Sequence, residues 1–213
     1  MLIAGIDLSM TSTGVALIDP AAGATVHRVR TLGPKLPRGQ KPTLLDRHDR
    51  LQEIEDRIGR LLGLLPYTEQ YRAGGDMYRP IPDLLFIERP FGSLSGNTLD
   101  LTGNWWRVTG MIHRFGIPVA EVDNNWLKIY ATGRASNRGP NKVEKHHVIS
   151  AVKTRYGTRV ARMVDGEGDD VCDAFILAAM ACRMVGHPIE TTELPAAHAR
   201  ALVGIQLPEG FSA

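Results

Sequence analysis

Cysteine is scarce: Cys172 and Cys182 are the only two, and both fall in one stretch of helical spacing. Two thiols so placed make neither a disulfide framework nor a zinc pattern, and a reducing cytoplasm is the simplest setting. Long apolar runs are missing as well. The most apolar segment, 169–185, is short and opens with aspartates, so no membrane span is expected. The start, MLIAGIDLS, has no basic stretch before its apolar residues and no small-residue cleavage site, which argues against a secretory leader. No internal repeat or low-complexity segment is present. Acid is missing from one region in particular. Between Asn124 and Val164 stand Lys128, Arg134, Arg138, Lys142, Lys145, Lys153, Arg155, Arg159 and Arg162, with Glu144 the lone acid. The net charge is only +2, so this is a local basic block, and it suggests either a phosphate-rich partner or a solvated face.

What is present fits one domain with a sizeable core: 213 residues, 43% of them hydrophobic. LIAGID (2–7), TGVALID (13–19) and GATVHRVRTLG (23–33) read as three strands. A helix is expected over 44–64, from the spacing of Leu51, Ile54, Ile58, Leu61 and Leu62. A long irregular connection precedes the short buried strand DLLFIE (83–88). A helix over 97–115, a strand PVAEVD (118–123) and helices near 124–131, 142–156 and 169–185 complete the pattern. A meander followed by alternating helices and strands predicts an α/β fold. Its mixed five-stranded sheet would be antiparallel at one edge and parallel elsewhere, with helices on its faces. Residues 1–185 would form that domain and 186–213 an irregular tail.

The acids are placed to matter. Asp7 ends the first strand and Glu88 the fourth, so parallel neighbours would bring both to one sheet edge, where ligand sites of open α/β sheets gather. In GDDVCDAFILAAMAC (168–182), Asp170 and Asp173 lie three apart on one helix face, and Asp169 can share that face. Helix capping accounts for one or two of these aspartates; a third adds like-charge repulsion unless a cation sits among them. Taken singly, Asp7 could cap a turn and Glu88 could be a surface acid. Together, Asp7, Glu88, Asp170 and Asp173 make a hard-oxygen set that suits Mg²⁺ or Mn²⁺ and not zinc.

The same residues carry a resemblance. GIDLSMTSTGVALI resembles the opening of RuvC-type Holliday-junction resolvases, and FIERPF resembles their Glu-bearing fourth strand with an aromatic, here Phe91, three residues on. WLKIYATGRAS is similar to the family's segment with basic residues and a Gly-Arg-Ala turn. KHHVISAV is similar to its Lys-x-x-Val helix, and DDVCDAFILAAMAC to its last helix with the pattern Asp-x-x-Asp-Ala. The matches run in order over about residues 3–183. They depart in the turn LSMTS after Asp7, where the family has Pro-Gly-Ser, in extra residues before Lys145, and in a longer 66–80 connection and tail.

The resemblance implies an RNase H-like fold and a homodimeric endonuclease that nicks four-way DNA junctions. Asp7, Glu88, Asp170 and Asp173 would be catalytic metal ligands for two Mg²⁺, with Mn²⁺ able to substitute. Lys145, or Lys142 in its place, would be the active-site lysine. Paired nicks would leave 5′-phosphate and 3′-hydroxyl ends. Asp169 has no counterpart in the family pattern and would serve as a cap. Phe91, Arg89, Lys128, Arg134, Arg138, Lys142 and Lys145, with the loops 134–142 and 35–41, are the expected DNA contacts. No membrane and no small-molecule cofactor are expected.

Of Trp105 and Trp106, which cannot share one helix face, one should be core and the other at a dimer interface or against DNA. His146 and His147 read as solvated residues or as acid–base candidates. A nuclease of the same fold acting on other branched DNA or on RNA–DNA hybrids shares all this chemistry. A non-catalytic junction binder would have lost one of the acids, and none is lost. GIDLSMTSTG also resembles the first phosphate loop of actin-like ATPases and sugar kinases. That class uses two such domains and a second Gly-rich loop, for which 213 residues leave little room.

Overall fold

The computed structural model describes residues 1–33, 37, 40–65, 80–90, 96–135 and 142–211. Five strands form one sheet: β1 (Ile3–Asp7), β2 (Ser12–Asp19), β3 (Gly23–Arg30), β4 (Leu84–Glu88) and β5 (Val119–Val122), in the order β3-β2-β1-β4-β5. β1, β2 and β3 form an antiparallel meander. β4 pairs parallel with both β1 and β5. This is the mixed sheet that the order of elements predicts.

Helices cover both faces. α1 (Leu44–Leu61) and α2 (Gly96–Arg114) lie on one side; α3 (Asn124–Thr132), α4 (Lys145–Arg155), α5 (Gly157–Val164), α6 (Asp169–Met184) and the short α7 (Ala196–Ala199) accompany the other. The alternation of strand side chains sets up the two cores. Ile3, Ala16, Ile18, Leu84 and Phe86 point to the α6 side, and Ala4, Ile6, Val15, Leu17, Leu85 and Ile87 to the α1–α2 side. The central strands therefore read as continuous apolar runs, as sheets buried on both faces do. α6 is buried all round between the sheet and α3–α4, which accounts for its nearly unbroken apolar sequence.

Local chemistry sets the helix ends. Thr43 caps α1 in a capping box with Asp46. Asp123 caps α3 by accepting from the Asn125 N–H at 2.8 Å, and Gly133, at φ 78°, ends it.

Several boundaries differ from expectation, among them the end of α1 at Leu61, three residues early. β3 stops at Arg30, because Thr31 turns back to bond the Thr11 and Met10 carbonyls. α4 starts at Lys145, three residues late, behind a Glu144–His147 capping box. The basic stretch 157–164 is a separate helix, α5, broken from α4 at Gly157, whose φ is 78°. Beyond α6, α7 and a 3₁₀ turn at Arg200–Leu202 seat Ala201 and Ile205 in the α6-side core.

Candidate active site

Two glycines let α6 reach the sheet. A Cβ on Gly5 would collide with the backbone of Ala174 and Ala178, and one on Gly14 with the Asp170 carbonyl. Gly14 of β2 lies directly across from Asp7 of β1. These two glycines, one in each of the paired strands β1 and β2, open the slot into which α6 fits. The first turn of α6 brings Asp169, Asp170 and Asp173 to the edge where β1 ends. Ile6 pairs with Ile87 in the parallel β1–β4 ladder, so Asp7 and Glu88 leave the sheet side by side at that same edge.

The four acids feel one another. Burial first, then the charges of Asp173, Glu88, Asp170 and Asp169, hold the Asp7 carboxyl well above the usual carboxylate range. Asp173 is pushed up to about 8, by burial first and then by Glu88, Asp169 and Asp170. Glu88 is raised by burial, while hydrogen bonds from Asn124 and from the protonated Asp7 carboxyl work the other way. The Asn124 amide donates to Glu88 Oε1 at 2.6 Å, and the Trp105 indole N–H donates to the Glu88 carbonyl at 3.0 Å. A shallow depression beside Asp7 and Glu88 is walled by Leu8, Pro90, Leu101 and Trp105.

Cations and amides occupy several of these carboxylates. Asp169, the first residue of α6 after the Gly168 N-cap, pairs with Lys145 of α4. The pairing raises the Lys145 ammonium above its ordinary value, first through the hydrogen bond it donates to Asp169. Asp170 lies 3.7 Å from the Arg28 guanidinium. Asp173 alone keeps a buried oxygen, Oδ1, with no hydrogen-bond partner. So engaged, no three carboxylate, His or Cys groups among the described residues are gathered around a common point ready to enclose an ion. The donor set nonetheless fits a hard divalent cation. It is all oxygen, the neighbouring acids raise Asp7 and Asp173, and the orphaned Asp173 Oδ1 lacks a hydrogen-bond partner.

The basic block divides on structural grounds. Arg155 is inward, donating to the Tyr130 and Ala131 carbonyls at 2.8 and 2.9 Å. Lys153 pairs with Asp165, and Lys142 with Glu144 at 3.4 Å. Arg89 is held by Glu121 at 2.9 Å. Lys128 lies close enough to Glu88 to favour its charged form, and Arg134 is exposed just after α3. Phe91, Arg138 and most of the loops 35–41 and 134–142 lie outside the described residues. Trp105 is buried and Trp106 is 67% exposed, the division that adjacent helical positions require. His146 and His147 are exposed or half-exposed, with His147 closing the α4 capping box.

Arg28, Ser12 and Asn124 carried no signal in the sequence. The alternating Val and Arg positions of β3 mark a strand without saying which arginine faces the acids, and Asn124 reads as an ordinary helix-start residue. The Thr13-Gly14 pair was the one legible hint.

No protein-family model matches the chain, and no curated protein matches it in sequence. Solved structures do share its architecture. One is Thermus thermophilus RuvC in complex with a Holliday junction substrate, at a TM-score of 0.53 and 16% identity, over 89% of this chain and 99% of that one. Another structure of T. thermophilus RuvC aligns at 0.51 and 18% identity over the same shares. No helix of the described residues is long and apolar enough to cross a membrane. The architecture of this chain is the RNase H-like α/β fold of RuvC.

Proposed function

We propose that this chain is a divergent RuvC-like endonuclease, dependent on a divalent metal, that resolves four-way DNA junctions by paired nicks leaving 5′-phosphate and 3′-hydroxyl ends. The observation that carries the reading is the convergence of Asp7, Glu88, Asp170 and Asp173 at one sheet edge, where burial and the neighbouring acids hold the Asp7 and Asp173 carboxyls above the usual carboxylate range. Structural acids are supplied with their own cations; these are short of positive charge by an amount that suits bound Mg²⁺ or Mn²⁺. Asp7 and Glu88 would hold the metal from the sheet, and Asp170 and Asp173 from the helix. Two such ions, when bound, supply a water nucleophile at neutral pH and stabilise the departing 3′ oxygen.

The chain's own groups do the rest. Asn124 fixes the direction of the Glu88 carboxylate, and Trp105 pins the backbone that carries it. Lys145, tethered by Asp169 and 76% exposed, presents a positive charge beside the carboxylates where a phosphate would arrive. Arg89, Lys128, Arg134, Lys142 and Lys145 are our proposed phosphate contacts, with Arg138 and Phe91 beside them in sequence. Neutralising them should weaken binding to all DNA and flatten its salt dependence.

A four-way junction must be cut on two strands with related geometry, which a two-fold dimer provides. The outer face of α2 suits that partner. Leu99 (74% exposed), Gly103, Trp106 and Gly110 follow one another at helical spacing, and a Cβ at either glycine would meet nothing within 4 Å. The helix's two mid-length charges, Asp100 and Arg107, turn away to α1. Each glycine costs the helix about 1 kcal/mol relative to alanine, a cost that a closely packed second helix would offset.

The test is cleavage of a labelled four-way junction with Mg²⁺ or Mn²⁺, beside matched duplex, flap and RNA–DNA hybrid substrates. Paired symmetric nicks at the junction, lost in Asp170→Asn, are expected. Cutting confined to flaps or hybrids would keep the metal chemistry and discard junction resolution. Activity undiminished in Asp170→Asn would discard the metal site.

A further inference from the structure

One row of residues crosses the sheet beneath the first turn of α6. Arg28 of β3 pairs with Gly14 of β2, and Gly14 pairs with Asp7 of β1. Directly opposed residues of antiparallel strands share a face, so the row reads cation, bare backbone, acid. The Asp170 backbone fills the bare position, and its carboxylate has the Asp7 carboxyl on one side of the row and a guanidinium on the other. The guanidinium is fixed: Arg28 Nε donates to Ser12 Oγ at 2.6 Å. It also lies flat on Gly168, where a Cβ would come within 3.2 Å of both terminal nitrogens. Gly168, at φ 96°, opens α6 with no side-chain cap, so contacts such as this one seat the turn. Arg28 NH2 stands 3.7 Å from Asp170 Oδ2, with about a fifth of either side chain exposed. That is too long for a hydrogen bond but close enough for a Coulombic attraction that solvent screens only in part.

We propose that Arg28 is the internal counter-ion of this cluster: it neutralises Asp170 while no metal is bound, and it competes with a divalent cation for that carboxylate. The inference rests on the metal-site reading above. Two effects of Arg28 act in the same direction. Its charge repels an incoming dication, and its attraction for Asp170 draws the carboxylate toward β3, away from Asp7. This accounts for a cluster that has the right donors but is not gathered around one point. In the metal-free protein the same attraction offsets part of the repulsion among Asp7, Glu88, Asp169, Asp170 and Asp173. Arg28 is therefore a positioning residue whose influence on the metal runs through Asp170.

The experiment is calorimetric titration of the full-length protein with Mn²⁺ in the absence of DNA, paired with thermal melts with and without Mn²⁺. Arg28→Gln keeps a donor for Ser12 and removes the charge. It should lower the Mn²⁺ dissociation constant about tenfold, or about 1.4 kcal/mol. It should also lower the metal-free melting temperature and enlarge the rise that Mn²⁺ produces. Arg28→Lys, which keeps the charge, should stay near wild type. Arg159→Gln makes the same change in net charge at the other end of β3, against Gly23, about 17 Å along the strand, and should change neither quantity. Mn²⁺ binding that is unchanged or weaker in Arg28→Gln, or equally tightened in Arg159→Gln, overturns the proposal. If the wild-type protein itself shows no Mn²⁺ binding, the metal-site reading fails first and the role of Arg28 falls with it.

Discussion

Two of the groups of buried acid among the described residues are built on opposite plans. Glu190, with its side chain fully buried, receives a hydrogen bond from Arg183 at 2.9 Å, a second from the Tyr130 hydroxyl and a longer one from Tyr156 at 3.5 Å. Burial, the neighbouring phenol and the Glu190 charge raise Tyr130 far above the phenol range, so it stays a donor. One charge, one cation and two neutral donors make a closed account of the polar groups, and the product is a tether between α6, α3 and the segment after α6. At the sheet edge, by contrast, Asp7, Glu88, Asp170 and Asp173 crowd together with Arg28 and Lys145 only at the rim, and Asp173 keeps a buried oxygen with no partner. A buried carboxylate provided with its own cation serves the fold. A set of buried carboxylates left short of positive charge is what the metal-site proposal rests on.

The sharpest way to break that contrast is to remove one acid from each group. Asp173→Asn should cost at least about 100-fold in junction cleavage, the upper range seen even for outer-shell partners of metal ligands. Its metal-free melting temperature near pH 7 should rise, because an amide sits in the crowded site without the proton that Asp173 must take up on folding. Glu190→Ala should do the reverse. Arg183 and two phenols lose their partner, at about 3–5 kcal/mol for one-sided loss of a buried pair, while cleavage per folded molecule stays near wild type. Parallel melts and cleavage assays decide it. Asp173→Asn melting below wild type, with cleavage retained, would place both acids in the structural class.

The pH dependence of the metal-free protein sharpens the same point. Asp173 moves from an ordinary 3.8 in the unfolded chain to about 8 in the fold, and Asp7 moves the same way. Between those values the folded state holds protons that the unfolded chain has released. Stability is therefore fully present below about pH 4, falls as pH rises toward 8, and levels above it. Urea midpoints of the metal-free protein across pH 4–9 should follow that decline. Asp173→Asn should flatten much of it, and saturating Mn²⁺ should do so as well. A midpoint that climbs with pH in the wild type would contradict the raised carboxyls.

The sheet was legible in the sequence because strands buried on both faces and separated by turn residues leave a plain apolar pattern, and the order of elements fixes a mixed sheet. The juxtaposition of Asp7 with Glu88 followed from strand ends alone. What stayed hidden depends on register and packing. Which β3 arginine meets Asp170 is decided by the pairing of Arg28 with Gly14, and a shift of one residue would turn that side chain to the opposite face. The helix expected near 142–156 ends where α4 does, at a Gly157 of positive φ; the following helix α5 was not read from the sequence. Asp169 reads as a cap, and its pairing with Lys145 was not legible, because it depends on α4 starting beside it. The tail beyond Gly186 reads as irregular, since Ala201 and Ile205 reach the core from turns too short to show periodicity.

The smallest expected effect on stability comes from Asn124→Ala, and it separates orientation from scaffolding within the sheet-edge group. Asn124 is the first residue of α3. Its amide N–H donates to Glu88 Oε1 at 2.6 Å, while its own Oδ1 is buried without a partner. Truncation removes one hydrogen bond and one unsatisfied acceptor together, and these nearly cancel, to within about 1 kcal/mol. The Asp123 cap on the Asn125 N–H remains, so the helix start is kept. Glu88, however, loses the donor that favours its charged form and fixes its direction. Cleavage should fall about 10–100-fold, with partial recovery at raised Mn²⁺, and junction affinity measured in Ca²⁺ should hold steady. A structural role would lower the melting temperature and junction affinity together and give no recovery with Mn²⁺, so the metal titration of this single variant tells whether Glu88 is being held for a metal or for the fold.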